Sequence, residues 1–281
     1  MRRLAICADD YGLSAGVDDA IAELIAAGRL SALSCLVDGP RFAAGAARLD
    51  DLGTRADVGL HLNFTESFGE RAPRFPLSGL IARAYARLLD AGAIRTEIRR
   101  QLDAFEDGCG FAPHHVDGHQ HVQQLPMIRD ALLEELERRS PAQRPWLRSG
   151  MPPASGIGSL AADRRKPAIL GLLGARTFVR EAQRRGFATN AHLLGVYGFD
   201  GSAEDYLDRL GGWMREAQDR DLLMTHPATG QTPGDPIAPA RVREYAVLRG
   251  AAFGEALAAQ DIAIARLSAL EPVTQSPSNI P

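Results

Sequence analysis

The sequence predicts an α/β fold: a mainly parallel sheet closed into a barrel, with helices packed outside it. Three observations carry that reading. Short apolar runs alternate with longer stretches of helical period along the chain. About seven such strand-like runs fall within 281 residues, which suits a barrel better than an open sheet. Acidic and imidazole side chains gather where those runs end, which is where parallel α/β proteins place their sites.

The elements follow in order. "LAICA" (4–8) reads as a buried strand. Ser14 then reads as the N-cap of a helix whose Val17, Ala20, Ile21, Leu24 and Ile25 recur at three- and four-residue steps. "SALSCLV" (31–37) is a second strand, followed by an alanine-rich helix to about Leu52. "DVGLHLNF" (57–64) is a third, and a loop with Pro73 and Pro76 leads into helical patterns near 79–91 and 94–107. "HHVDGH" (114–119) is a fourth strand. "PMIRDALLEELERR" (126–139) is a helix with proline in its first turn, and "PWLRSG" (145–150) a fifth strand. Beyond a Gly/Pro/Ser-rich loop at 150–162 come a helix over 167–185, a strand at 191–197 and an amphipathic helix at 203–218. "LLMTH" (222–226), a helix over 239–259 and "IAIARL" (262–267) complete the pattern. Residues 1–270 read as one domain and 271–281 as a frayed tail.

The composition, 45% hydrophobic and 24% charged, is ordinary for a globular chain. A net charge of −3 argues against general nucleic-acid binding, which normally needs a basic excess. Cys7, Cys35 and Cys109 lack metal-type spacing and read as reduced thiols. No stretch approaches the roughly 18 apolar residues of a membrane span. The apolar run behind "MRR" is short for a signal peptide, so the expected compartment is cytoplasmic.

"CADDYG" (7–12) sets two aspartates side by side behind an apolar strand, where like charges repel and burial is costly. Other strand-like runs end at or carry His61; Asp117, His119 and His121; and His226. Singly, each has a plain reading. Adjacent aspartates form turns or cap helices, Asp117-Gly118 is a turn signal, strand-end histidines are hydrogen-bonded structural residues, and Arg148 is a surface cation. Together they are harder to dismiss, because five of the seven histidines lie on such strands. Strand alternation in "HHVDGHQH" places His115, Asp117, His119 and His121 on one face. One carboxylate from the first strand and histidines from the third and fourth make a three-ligand set with open positions, as in catalytic metal sites. A divalent cation would relieve the repulsion by binding one aspartate, leaving the other to accept a proton from water. The spacing leaves open which of Asp9 and Asp10 does which. His226, arriving from the far side of the barrel, is placed to protonate a leaving group.

"ICADDYGLSAGVDDAI", "VGLHLNFTE", "HHVDGHQHVQQLP" and "LLMTHPA", in that order between about residues 4 and 265, resemble the YdjC-like carbohydrate deacetylases. That family includes chitooligosaccharide deacetylases and hopanoid-biosynthesis-associated deacetylases. The resemblance implies a distorted TIM-like (β/α) barrel and metal-dependent hydrolysis of an N-acetyl group on an amino sugar. It implies Asp9 as base, Asp10, His61 and His119 as ligands of one divalent metal ion, and His226 as general acid. Less strongly, it implies Arg148 as a residue that orients the catalytic aspartate or the substrate; His121 and Asp117 are read beside it as orienting or substrate contacts. Histidine ligands favour zinc or another transition metal, while relatives are also associated with magnesium; a homodimer is a further expectation from the family. In one departure, Gln123 stands where many relatives carry a further histidine, which bears on outer contacts and substrate preference more than on metal binding.

From Arg138 to Arg185 there are eleven Arg/Lys against two Asp/Glu, around the apolar run "PAILGLLGA" (167–175). This reads either as a solvated helix packing its apolar side, or as a basic amphipathic surface for peripheral contact with anionic lipid. The second reading would suit a lipid-linked amino sugar, such as a glycosylated hopanoid, over a free chitooligosaccharide. Two rival functions use the same residues. Two histidines and a carboxylate also describe a non-haem iron oxygenase, and a silent carbohydrate-binding barrel could keep the fold. The neighbouring second aspartate and His226 favour hydrolysis over both.

Overall fold

In the computed structural model, described over residues 1–68, 75–139, 144–153 and 165–270, the apolar run behind Met1 becomes the centre of a sheet. Strand β1 (Arg2–Tyr11), buried from Leu4 onward, pairs in parallel with β2 (Ala32–Cys35) on one side. On its other side it pairs in parallel with β7 (Asp221–Thr225), and its first residues also meet β8 (Ile262–Ile264). Beyond β2 lie β3 (Asp57–Leu62), β4 (His115–Gly118) and β5 (Trp146–Leu147); beyond β7 lies β6 (Leu193–Leu194). The described strands are buried almost continuously because helices cover them outside and side chains fill them inside.

The two ends of the sheet are joined by one segment. Leu147 N–H donates to Ala188 O at 2.8 Å, while Leu193 N–H donates to Met151 O at 2.8 Å. Asn190 clamps the same junction: its Oδ1 accepts from Ser149 N–H at 2.7 Å and its Nδ2 donates to Ser149 O at 3.1 Å. Residues 187–194 therefore lean on β5 at one end and pair with β7 at the other, which curls the sheet into a distorted barrel. The predicted single-domain (β/α) barrel is the fold observed.

Local chemistry explains most element ends. Helix α1 (Ala15–Ala26) starts where Ser14 Oγ accepts Val17 N–H, and it buries the five apolar residues its period picks out. The alanine-rich stretch after β2 is not one helix: it breaks into α2 (Phe42–Gly45) and α3 (Leu49–Gly53). Tyr11 sits so close to Gly45 that a Cβ there would lie 2.9 Å from its hydroxyl. Next come α4 (Leu77–Tyr85), α5 (Ala91–Cys109), capped by Asp90 and ended by Gly110 at φ 77, and α6 (Ile128–Arg139). The predicted 167–185 helix is α7 (Arg165–Leu170) and α8 (Arg176–Arg184), joined by a wider turn with Gly174 at φ 97. After α9 (Ala203–Glu216), with its Ser202/Asp205 capping box, the predicted 239–259 helix also divides. It forms α10 (Ala238–Arg249) and α11 (Ala251–Ala259), because Gly250 turns extended at ψ 156. Most of the 150–162 loop and the 271–281 tail lie outside the described residues.

Much of the charge in the basic segment is already paired. Arg139 meets Asp103, Glu106 and Glu135 within 2.5–3.1 Å, and Arg185 meets Glu137 at 2.5 Å. Among the described residues no helix is long and apolar enough to cross a membrane.

α1 also carries a buried carboxylate, Asp18, whose Oδ1 accepts Gly12 N–H at 2.7 Å. Burial pushes its carboxyl up from an ordinary 3.8 to about 6. Since the folded value lies above the unfolded one, its favourable contribution is complete below pH 3.8 and is lost as pH rises through about 6. Asp18→Asn keeps an acceptor for Gly12 and removes the buried charge. Urea unfolding should show it more stable than the parent by about 2 kcal/mol at neutral pH, with the advantage gone near pH 4.

Candidate active site

Adjacent residues of a regular strand point to opposite faces, so Asp9 and Asp10 would normally diverge. They do not, because β1 carries a bulge. Ala8 pairs with Leu33 and Tyr11 with Cys35, leaving one extra residue on β1. Asp10 absorbs it at φ 70, a conformation aspartate tolerates better than most residues. Gly12 follows at φ 95, where a Cβ would lie 3.0 Å from Leu36 O. Both carboxylates thus line one cavity at the barrel mouth, of about 660 Å³.

Asp10 Oδ1 lies 3.2 Å from His119 Nδ1 and 3.4 Å from His61 Nε2. It is buried with no hydrogen-bond partner among the described residues. An acceptor left in that state, facing two imidazole nitrogens, has the donor chemistry a divalent cation satisfies. Asp10 Oδ2 is held separately, accepting from Arg241 Nη2 at 2.7 Å, and Arg241 Nε donates to Asp235 at 2.5 Å. His61 Nδ1 donates to Asp117 Oδ1 at 2.6 Å, which leaves Nε2 facing Asp10.

Arg148 is no surface cation. It is wholly buried and donates from Nη1 and Nη2 to the two oxygens of Asp9, both at 2.6 Å. Nη2 also lies 2.6 Å from Asp117 Oδ2. Burial pushes the Asp9 carboxyl up, but the Arg148 guanidinium and His61 outweigh it and hold it below its ordinary range. Asp10 is held further down, burial being overcome by Arg241, His119 and His61. His226 Nε2 lies 3.8 Å from Asp9 Oδ2, and its backbone N–H donates to Glu244 Oε2 at 2.6 Å. Burial pushes the His226 imidazole down despite the neighbouring Glu244, Asp9 and Asp10 carboxylates.

The alternation expected through "HHVDGHQH" fails after Asp117. β4 ends at Gly118, and Gln120 and His121 take φ 55 and 60, so a turn rather than a strand carries His119 and His121 to the cavity. The glycine is required there, since a Cβ on residue 118 would come 2.6 Å from Gln123 Oε1 and 2.9 Å from Gln123 N. Burial and then Arg148 push the His121 imidazole down to about 3. Gln123 donates to Arg148 O at 3.0 Å, behind the cavity.

Sequence reasoning missed Ser34, Arg241 and Glu244. Ser34 Oγ donates to Asp117 Oδ2 at 2.6 Å. Arg241 and Glu244 sit on the buried stripe of α10 with Tyr245 and Leu248. Two charged residues in phase with that stripe were the available signal.

The sequence model of the family described as YdjC-like protein matches residues 3–259. This chain belongs to that family. A carbohydrate deacetylase of Mus musculus is 33% identical to this YdjC-like chain over 180 residues, covering 57% of it and 53% of the relative. A carbohydrate deacetylase of Homo sapiens is 33% identical over 150 residues, covering 48% and 45%. The match thus spans about half the length of these two relatives. A chitooligosaccharide deacetylase of Serratia marcescens is 28% identical over 240 residues, covering 80% of this chain and 81% of that one. Among solved structures, a protein of Enterococcus faecalis V583, provisionally named for cellobiose-phosphate cleavage, shares the fold. Its TM-score is 0.66 at 18% identity, over 94% of this chain and 97% of its own. The Bc1960 peptidoglycan N-acetylglucosamine deacetylase shares it at TM-score 0.52 and 11% identity, covering 94% and 86%.

Proposed function

We propose that this YdjC-like chain is a metal-dependent N-deacetylase that hydrolyses the N-acetyl group of an amino sugar and releases acetate. The observation that carries this reading is the convergence of Asp10, His61 and His119, with donor atoms within 4.8 Å of one another, beside the Asp9–His226 pair in one cavity. The names of the relatives support it.

Asp10, His61 and His119 would hold the cation. When bound there, a divalent cation supplies Lewis-acid polarisation of the amide carbonyl and makes water more acidic. Asp9, kept ionised by Arg148, accepts the proton of the attacking water as its oxygen bonds to the carbonyl carbon. His226 lies 3.8 Å away, so that proton has a short path to Nε2 and on to the departing amine nitrogen. Burial keeps the resting imidazole neutral, so His226 passes on a proton it has received. The C–N bond breaks, leaving acetate and a free amino sugar. An oxygenase would have no use for this second pair.

The cavity walls favour a substrate with an apolar portion. Phe68, Leu77, Ile169, Leu173 and Phe199 line it; Ile169 is 56% exposed, and Leu172, next in sequence to Leu173, is 82% exposed. A lipid-linked amino sugar, such as a glycosylated hopanoid, would use that surface; a free chitooligosaccharide would leave it wet. Acetate release should be measured from free, oligomeric and lipid-linked N-acetylglucosamine, after chelation and with Zn²⁺ or Mg²⁺ restored. The expected result is no release after chelation, recovery with metal, and the highest kcat/KM for the lipid-linked sugar. Undiminished release in chelator would sink the metal reading, and a preference for free oligosaccharide would sink the lipid one.

A further inference from the structure

We infer that Ser34 and His115, neither of which lines the cavity, fix which nitrogen of His61 is free to bind a cation. This rests on the metal reading above and adds two positioning residues behind it. The His115 ring is held on both faces. Trp146 stacks on it with centroids 4.2 Å apart and planes 13° from parallel. On the β3 side stands Gly59, where a Cβ would fall 2.4 Å from three atoms of the ring. Only glycine leaves that slot open, two residues before His61 on the same strand.

The hydrogens of the cluster can then be placed by elimination. Ser34 Oγ has one proton and four polar neighbours, the weakest of them the Cys7 thiol at 3.4 Å. Asp117 Oδ2, at 2.6 Å, only accepts; Arg148 Nη2, at 3.2 Å, only donates; His115 Nε2 lies at 3.0 Å. The Ser34 proton therefore goes to Asp117, and His115 carries its hydrogen on Nε2 and donates it to Ser34, because a bare Nε2 at 3.0 Å would set its lone pair against those of the hydroxyl oxygen. Burial keeps this ring neutral, pushing it down to about 4, and its Nδ1 has no partner among the described residues. With Oδ2 saturated by Ser34 and Arg148, Asp117 takes the His61 Nδ1 hydrogen on Oδ1 at 2.6 Å. His61 is left with a lone pair on Nε2, the nitrogen that faces Asp10.

A different use of the same residues fails on charge. Cys7, His115 and Asp117 also bring donor atoms within 4.8 Å of one another. The guanidinium of Arg148 already occupies that space, with Nη2 2.9 Å from Cys7 Sγ and 2.6 Å from Asp117 Oδ2. Burial, chiefly, pushes the Cys7 thiol well up, so it stays protonated. The cluster serves His61 and is not a second metal centre.

The test uses metal-free protein at about pH 9, reading histidine tautomers by side-chain ¹⁵N NMR, with affinity for Zn²⁺ alone measured by competition titration. In the parent, His61 should show only the Nδ1–H form. Ser34→Ala should give mixed tautomers and Zn²⁺ binding about tenfold weaker, and His115→Phe, which refills the stacked slot, a loss of about threefold. Ser34→Ala with the parent tautomer and affinity within about twofold would overturn the inference. Should Ser34→Ala not fold, unchanged tautomer and affinity in His115→Phe overturn it instead. A parent that binds no Zn²⁺ sinks the metal reading, while the tautomers still decide this one.

Discussion

Asp9→Asn should lower kcat by about a thousandfold while the protein still binds one Zn²⁺ per chain. The asparagine keeps the shape of the side chain and cannot accept a proton from water. The three residues proposed to hold the cation are not replaced, and the hydrogen bonds that Asp9 accepts from a cationic side chain come from Arg148. The same change removes a buried anion from Arg148 and should cost about 3 kcal/mol of stability. Metal content, kcat and urea unfolding on one preparation separate these effects. Near parental turnover with metal bound would show that Asp9 is not the base.

Arg148→Met should cost more stability, about 3–5 kcal/mol, because it strips the shared cation from two buried carboxylates. Arg148 holds both Asp9 and Asp117 below the ordinary carboxylate range against the opposing effect of burial. Groups depressed in this way contribute stability that is present above their unfolded pKa and lost as pH falls through the folded one. The gap between parent and variant should therefore be widest near neutrality and narrow in acid, read from urea midpoints across pH. Any remaining activity should lose its acid limb at higher pH than the parent does, since Asp9 now protonates more easily. A stability gap that does not vary with pH would mean that Arg148 acts by packing alone.

The barrel was legible because its signals are local. Ser14 caps α1 three residues before Val17, and each strand announces itself as an apolar run whichever partner it later finds. Where a glycine met a neighbour, local reading overran: one helix was expected where Gly45 meets Tyr11, and another where Gly250 turns extended. The candidate site was half legible. Asp9, Asp10, His61, His119 and His226 stood out at strand ends, and the structure brings them to one cavity. The burial of Arg148 was invisible, since its partner Asp9 lies 139 positions away. Arg241 was invisible for the same reason, 231 positions from Asp10.

The amino-acid sequence by itself determined the order of strands and helices, the family, and the residue types gathered at the barrel mouth. These depend on period, capping and composition, which one chain displays without its partners. Tertiary structure alone decided how two neighbouring aspartates share that mouth. A bulge is a mismatch between strands and exists only once β1 is paired with β2. The allotment of charge is likewise a property of distance. Arg148 keeps Asp9 ionised and Arg241 takes one oxygen of Asp10, leaving the other to face His61 and His119.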